Sequence, residues 1–415
     1  MTAIERNADP VEAGFDPDRL ERLTTHFARY VDDGRLPGWQ IAVARAGKTV
    51  YANSYGHRDV ASAAPVEADT IFRAYSMTKP VTSVAAMMLF EDGVISLDDP
   101  VSKYVPAFAD TRVYLRGPGT SPATTPQHLP MTVLQLLTHT SGLTYGFAFA
   151  NGIDHLYRQA GFEWGSPADK TLEECCNIWA SIPLVFQPGT EWNYSVSTDV
   201  LGRVVEVASG QTLDAFFQDR ILGPLGMHDT AFWVDDARVD RLASLYLASP
   251  GTVARERKAV FAGAFGARPP KAPAFLSGGG GLHTTTYDYL RFAEMLRRGG
   301  ELDGVRLLGP RTVKFMTSNH LPNNADLTAI GRPIFAETSY DGVGFGLGFS
   351  VVLDPVKNRT PGSVGDFGWG GAASTAFWVD PVEDMSVVFM TQLLPSSVHP
   401  IRSELKRLVH AAIVS

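Results

Sequence analysis

The alternation of apolar and polar residues divides this chain into recognisable elements. Pro17-Asp18-Arg19 begins an amphipathic pattern that predicts a helix through about Asp33. Gly38-Trp39 then introduces two runs, Gln40 to Arg45 and Lys48 to Ser54, around the turn Ala46-Gly47, which reads as a β-hairpin. Ile71-Phe72-Arg73-Ala74-Tyr75 is extended in character. The apolar stretch from Val81 to Phe90 stops at Gly93, as a buried helix with a glycine beyond its end does. From Leu97 to about Gly281 helical patterns alternate with Pro/Gly-rich loops, notably Arg116 to Pro130 and Ala248 to Ser277. Strand-like runs return at Phe345 to Leu353, Thr375 to Val379 and Ser386 to Leu393, and the terminal run Ile401 to Val414 has helical spacing.

Strands, helices, strands and a helix, in that order, are most economically satisfied by an α/β (α+β) fold. An antiparallel sheet assembled from both ends of the chain is flanked by helices and carries an inserted, mainly helical domain. The expected division is an α/β domain built from 1–95 and 282–415 around a mainly helical domain with active-site loops at 96–281. A chain of 415 residues, 45% hydrophobic, can bury a core of that size.

Charge narrows the partners. Thirty-six basic against 44 acidic side chains give a net charge of −8, with no run of five basic residues, so neither nucleic acid nor an anionic membrane is expected as partner. The two cysteines, Cys175 and Cys176, are adjacent, which disfavours a mutual disulfide and fits reduced, structural thiols. No signal-peptide pattern is visible and no apolar run reaches about 18 residues. A cytoplasmic protein is the expectation.

Candidate chemistry begins with Ser76-Met77-Thr78-Lys79, where a hydroxyl and an amine three residues apart share one helical face. A nucleophile thus stands beside a base. The spacing recurs at Ser403-Glu404-Leu405-Lys406, but inside the amphipathic terminal run, where Lys406 reads as a lysine on the solvated face. A serine hydroxyl also needs a group to hold or relay its proton and donors for the oxyanion. Trp192-Asn193-Tyr194-Ser195-Val196-Ser197 lies between a turn and a helical run, a junction from which Tyr194 could point into a cleft or simply be a packed phenol. Gly368-Trp369-Gly370-Gly371-Ala372, read blandly a glycine-rich turn, leaves backbone N–H groups accessible. Gly47-Lys48-Thr49 is a hairpin turn and not a phosphate loop, because position 42 is Ala42 and the glycine that loop needs is missing.

These segments resemble the serine β-lactamase and penicillin-binding-protein superfamily, particularly its class C branch and the family VIII carboxylesterases. The resemblance spans most of the chain. It includes Gly14-Phe15-Asp16, Ser76-Met77-Thr78-Lys79-Pro80, Leu136-Leu137-Thr138-His139-Thr140-Ser141-Gly142-Leu143, Tyr194-Ser195 and Asp199-Val200-Leu201-Gly202. Pro224-Leu225-Gly226-Met227, Gly278-Gly279-Gly280-Gly281-Leu282 and Asp288-Tyr289-Leu290 continue it. It implies Ser76 as acylated nucleophile, Lys79 as proton acceptor, and Tyr194 as general base and later proton donor to the leaving group. Sequence leaves open whether Lys79 or Tyr194 is the kinetic base. The oxyanion hole would be the backbone N–H of Ser76 and that of Ala372. Asp199 matches a family aspartate that supports the tyrosine loop, or simply starts a helix.

Two departures set the expected substrate. Where β-lactamases usually offer Lys-Thr-Gly, this chain has Trp369-Gly370-Gly371, and where they have Tyr-x-Asn it has Tyr194-Ser195-Val196. Both remove handles for an anionic, amide-bearing β-lactam and leave an apolar pocket suited to a neutral ester. Trp369 is typical of the esterase branch. Short-chain carboxylic esters are the expected small-molecule substrate, with acyl transfer to an alcohol, weak β-lactamase activity and a catalytically silent binding protein as alternatives. Tyr145, Phe147, Phe149 and Trp233 are candidates to line the substrate pocket. Gly-x-Ser-x-Gly and His-Gly-Gly-Gly are absent, so His139 and His283 are expected to be structural. No metal-ligand spacing occurs among the ten histidines, so no metal and no cofactor are expected. Sequence leaves the oligomeric state open.

Overall fold

The computed structural model describes residues 4–163, 167, 169–251, 256–332 and 340–415. Residues 1–3 of the charged N-terminal segment and 252–255 of the loop Ala248 to Ser277 lie outside the described residues.

An antiparallel eight-stranded sheet forms the frame, in the spatial order Val343–Phe345, Ser350–Val352, Phe367–Gly370, Ala376–Asp380, Met385–Met390, Gly38–Arg45, Lys48–Asp59 and Ala64–Pro65. The N-terminal strand Gly38–Arg45 thus pairs with the late strand Met385–Met390, with Ile41 opposite Phe389 and Val43 opposite Val387. The two ends of the chain build one sheet, as the order of elements predicts. Its hairpin closes at Ala46-Gly47, both with positive φ, 51° and 79°, the backbone that a tight two-residue turn requires.

Alternation along the strands feeds two layers at once. Trp39, Ile41, Val43, Val387 and Phe389 pack outward against the helices Pro17–Asp32 and Ile401–Ala411, while Ala42, Ala44, Val388 and Met390 belong to the larger inner core with Phe292 and Met295 of helix Thr286–Arg297. In helix Thr78–Glu91 every residue from Thr78 to Leu89 is buried, so it runs through the core and fixes its first turn rigidly. It packs against Ser197–Ser209, which follows the tyrosine loop.

Three expectations need correction. The run Phe345 to Leu353 is a hairpin and not one strand, because the chain reverses between Phe345 and Ser350. Gly368-Trp369-Gly370 is not a turn: Phe367–Gly370 is an interior strand, paired on both sides. Lys406 is not on a solvated face. Its side chain is 15% exposed and its ammonium lies 2.5 Å from the buried carboxylate of Asp366, because that face of the terminal helix is turned to the sheet.

Candidate active site

The strand Ile71–Arg73, paired with His283–Thr285, delivers the chain to Ala74 and Tyr75. Tyr75 has φ +47°, a left-handed conformation that a bulky side chain rarely adopts, and it turns the backbone sharply into the 3-10 turn Tyr75–Met77 ahead of helix Thr78–Glu91. Ser76 therefore sits in a tight turn just before the α-helix. Its Oγ accepts a hydrogen bond from Lys79 Nζ at 3.1 Å.

Lys79 is 2% exposed. Its ammonium nitrogen also donates to the carbonyl of Gly279 at 2.7 Å and lies 4.5 Å from the ring centroid of Tyr194 and 5.5 Å from that of Tyr145. The strap that offers the Gly279 carbonyl is held by Asp199, whose Oδ1 accepts from Gly279 N at 2.9 Å and from Ser277 Oγ at 2.6 Å. Asp199 stands in the first turn of helix Ser197–Ser209, as the helix-start alternative has it, and its side chain supports the glycine strap beneath Lys79. Burial raises its carboxyl above the usual range, and the Lys79 charge opposes that rise. A Cβ at Gly279 would stand 2.5 Å from Asp199 Oδ2, so this close approach requires glycine.

Tyr194 reaches the same place from a loop pinned to the Thr138-His139-Thr140-Ser141 segment. Asn193 N donates to His139 O at 2.9 Å, and Asn193 Nδ2 to Leu143 O at 2.8 Å. Behind it, Ser195 Oγ bonds to His139 Nδ1 at 3.2 Å and to Ser197 Oγ at 2.7 Å. The phenol ring packs between His139, at 4.9 Å between centroids, and Tyr145 and Trp369, each at 5.5 Å. Burial, and then the nearby Lys79 charge, hold the His139 imidazole well below its ordinary pKa, so it is neutral and is a packing partner of the phenol. The phenolic oxygen accepts from Trp369 Nε1 at 3.1 Å.

Trp369 projects from the strand Phe367–Gly370, which then turns at Gly371. Gly371 N bonds to Thr375 O at 2.9 Å, Thr375 Oγ1 to Ala74 O at 3.3 Å, and Arg402 Nη2 to both Gly371 O and Thr375 O, at 3.0 and 2.8 Å. These bonds tie the turn that carries Ala372 to the backbone two residues before Ser76. Ser76, Tyr194, Trp369, Gly370 and Ala372 line one cavity of about 920 Å³. Tyr145 and Phe147, stacked at 4.6 Å, form part of its wall with Phe162, Phe275 and Tyr340. Gly371 lies in the turn behind Ala372. Of the four aromatic candidates, Tyr145 and Phe147 line the cavity, whereas Phe149 is 57% exposed and Trp233 bonds to Pro269 O, so neither joins the wall. Sequence reasoning missed Phe162 and Phe275, which carry no motif and lie in loops, where both rings pack on Trp179.

A family description named Beta-lactamase matches residues 23–411. The chain belongs to the β-lactamase family. Among its relatives, Esterase EstB from Burkholderia gladioli is 33% identical over 404 residues, covering 94% of each chain. Lovastatin esterase from Penicillium rubens is 32% identical over 379 residues, 86% of this chain and 89% of that one. Among solved structures, EstCE1, described as a hydrolase with promiscuous acyltransferase activity, superposes with a TM-score of 0.77 at 28% identity, covering 96% of this chain and 99% of its own. The mixed α/β fold and the superfamily expected from the motifs are those of this protein, and the likenesses support ester hydrolysis or acyl transfer as its chemistry. Among the described residues no helix is long and apolar enough to cross a membrane.

Proposed function

We propose that this β-lactamase-family protein is a carboxylesterase that works through an acyl-Ser76 intermediate. The observation that carries the reading is the contact of Lys79 Nζ with Ser76 Oγ, 3.1 Å, in a cavity walled by aromatic rings. In this reading Ser76 Oγ attacks the ester carbonyl carbon while its proton passes to the Lys79–Tyr194 pair. The alkoxide then leaves with that proton, and water, deprotonated by the same pair, attacks the acyl carbon and releases the acid. Lys79 Nζ lies 4.5 Å from the centroid of the Tyr194 ring, and the pair is the proposed base. The N–H groups of Ser76 and Ala372 are the donors proposed for the oxyanion.

Trp369 stands where a β-lactamase usually presents a cation, and its indole is committed to Tyr194. Tyr145, Phe147 and Trp369 favour a neutral ester, with a short acyl group on Ser76 and an apolar alcohol portion along the rings. The description of EstCE1 favours a second reading, transfer of the acyl group to an alcohol in place of water.

The test is intact-mass spectrometry during turnover of p-nitrophenyl esters of increasing chain length, with and without an acceptor alcohol, alongside nitrocefin. The expected result is a mass increment of one acyl group on wild type and none on Ser76→Ala, with esters turned over far faster than nitrocefin. Transfer product exceeding free acid establishes the second reading, and turnover by Ser76→Ala removes both.

A further inference from the structure

The second Ser-x-x-Lys, discarded as a catalytic motif, leads to a different place. Lys406 and His410 lie one turn apart on the terminal helix Ile401–Ala411 and face the outer side of the sheet. Asp366 directly precedes the strand Phe367–Gly370, and Asp380 ends Ala376–Asp380. Because Phe367 pairs with Val379, the two aspartates come together at the same end of neighbouring strands. One ligand atom from each of Asp366, Asp380 and His410 lies within 4.8 Å of the other two.

Two observations point to a cation site. First, Asp380 Oδ2 and His410 Nε2 stand 3.9 Å apart with no hydrogen-bond partner, although Asp380 is fully buried and the His410 side chain is 9% exposed. Buried polar atoms are normally satisfied, and these two are aimed into the same space. Asp380 Oδ1 accepts from the N–H groups of Val382 and Glu383 at 3.0 and 3.1 Å, and the His410 ring stacks on Trp378, so neighbouring groups orient both ligands. Second, the charges do not balance. Among the described residues, these two carboxylates, 0% and 2% exposed, face one ammonium, that of Lys406. A buried site with excess negative charge calls for a cation or a proton.

We propose that Asp366, Asp380 and His410 bind one divalent transition-metal ion of the zinc class between the central sheet and the terminal helix. One imidazole nitrogen and two carboxylate oxygens, with water as the fourth ligand, suit zinc, and two ionised aspartates balance its charge. Bonds of about 2.0–2.1 Å would draw the three ligand atoms to roughly 3.3 Å apart. Lys406 is the competing partner that must yield. The active-site cavity extends along the terminal helix as far as Asp366 and Lys406, which gives an ion a way in and the ammonium a way out. The site is independent of the esterase reading, since none of its ligands touches Ser76, Lys79 or Tyr194.

The test is a titration of the chelator-treated protein with Co²⁺, followed by visible absorption, and with Zn²⁺, followed by the thermal midpoint. The expected result is a saturable spectrum of four-coordinate cobalt at one equivalent and a midpoint that rises with zinc concentration. Asp380→Asn and His410→Gln each abolish the spectrum, whereas Lys406→Met, which removes the competing charge, tightens binding at least about tenfold. Should Asp380→Asn fail to fold, His410→Gln and Lys406→Met still decide. The absence of a one-equivalent cobalt spectrum, its persistence in His410→Gln, or weaker binding by Lys406→Met overturns the proposal and leaves the cluster as a proton-balanced ion pair.

Discussion

Trp369 donates its indole N–H to the phenolic oxygen of Tyr194 across 3.1 Å, and their rings lie 5.5 Å apart. A residue on an interior strand thereby fixes a phenol carried by a loop 175 residues earlier in the sequence. Trp369→Phe keeps the wall and removes the donor. We expect kcat on a p-nitrophenyl ester to fall about tenfold, the worth of one hydrogen bond to a group that develops charge, while KM changes less. An unchanged kcat would show that the phenol is held by packing alone.

Gly279 offers its carbonyl to Lys79 and its N–H to Asp199. In Gly279→Ala the new methyl group would meet Asp199 Oδ2 at 2.5 Å and push the strap from the lysine. Steady-state kinetics should show kcat/KM reduced by roughly a hundredfold, since displacement of a catalytic group by about an ångström costs that much. Retained activity would mean that the Lys79 position does not depend on this carbonyl.

Lys79→Arg separates charge from proton transfer. A guanidinium keeps the positive charge but does not give up its proton at working pH. If the lysine shares the proton of Ser76, Lys79→Arg should lose about 10²–10⁴ in kcat, as much as Lys79→Met. Activity well above that of Lys79→Met would assign the proton to Tyr194 alone.

Asp288 supplies a prediction on stability and pH. It is 1% exposed, and burial pushes its carboxyl up to about 6 from 3.8, although Oδ2 accepts from Thr230 Oγ1 and Asp229 N at 2.8 Å each. A raised carboxyl pKa favours the folded state when protonated, so this contribution is fully present below about pH 4 and is lost as pH rises through 6. The loss amounts to about 3 kcal/mol. Asp288→Asn cannot ionise. Urea unfolding should therefore find the variant gaining on wild type by about that amount between pH 4 and pH 8, and a constant difference across that range would refute the assignment.

The legible part of the fold was whatever depends on local pattern. The hairpin at Ala46-Gly47, the core helix after Pro80 and the terminal helix were readable because strand and helix periodicity is printed in neighbouring residues. Phe367–Gly370 was not: two of its four residues and the one that follows are glycines, whose local preference is for turns, and pairing on both sides overrides that preference.

The sequence by itself determined which residue types stand available for the proposed chemistry, through the spacing of Ser76 and Lys79 and the order of the motifs around them. Only the tertiary structure decided that Asp199 steadies Gly279, that Tyr194 is bonded to Trp369, and that Lys406 faces Asp366 in place of water. Those partners lie 80, 175 and 40 positions apart. Contacts across such separations come from how layers stack and strands register, and neither is encoded in the residues that flank each partner.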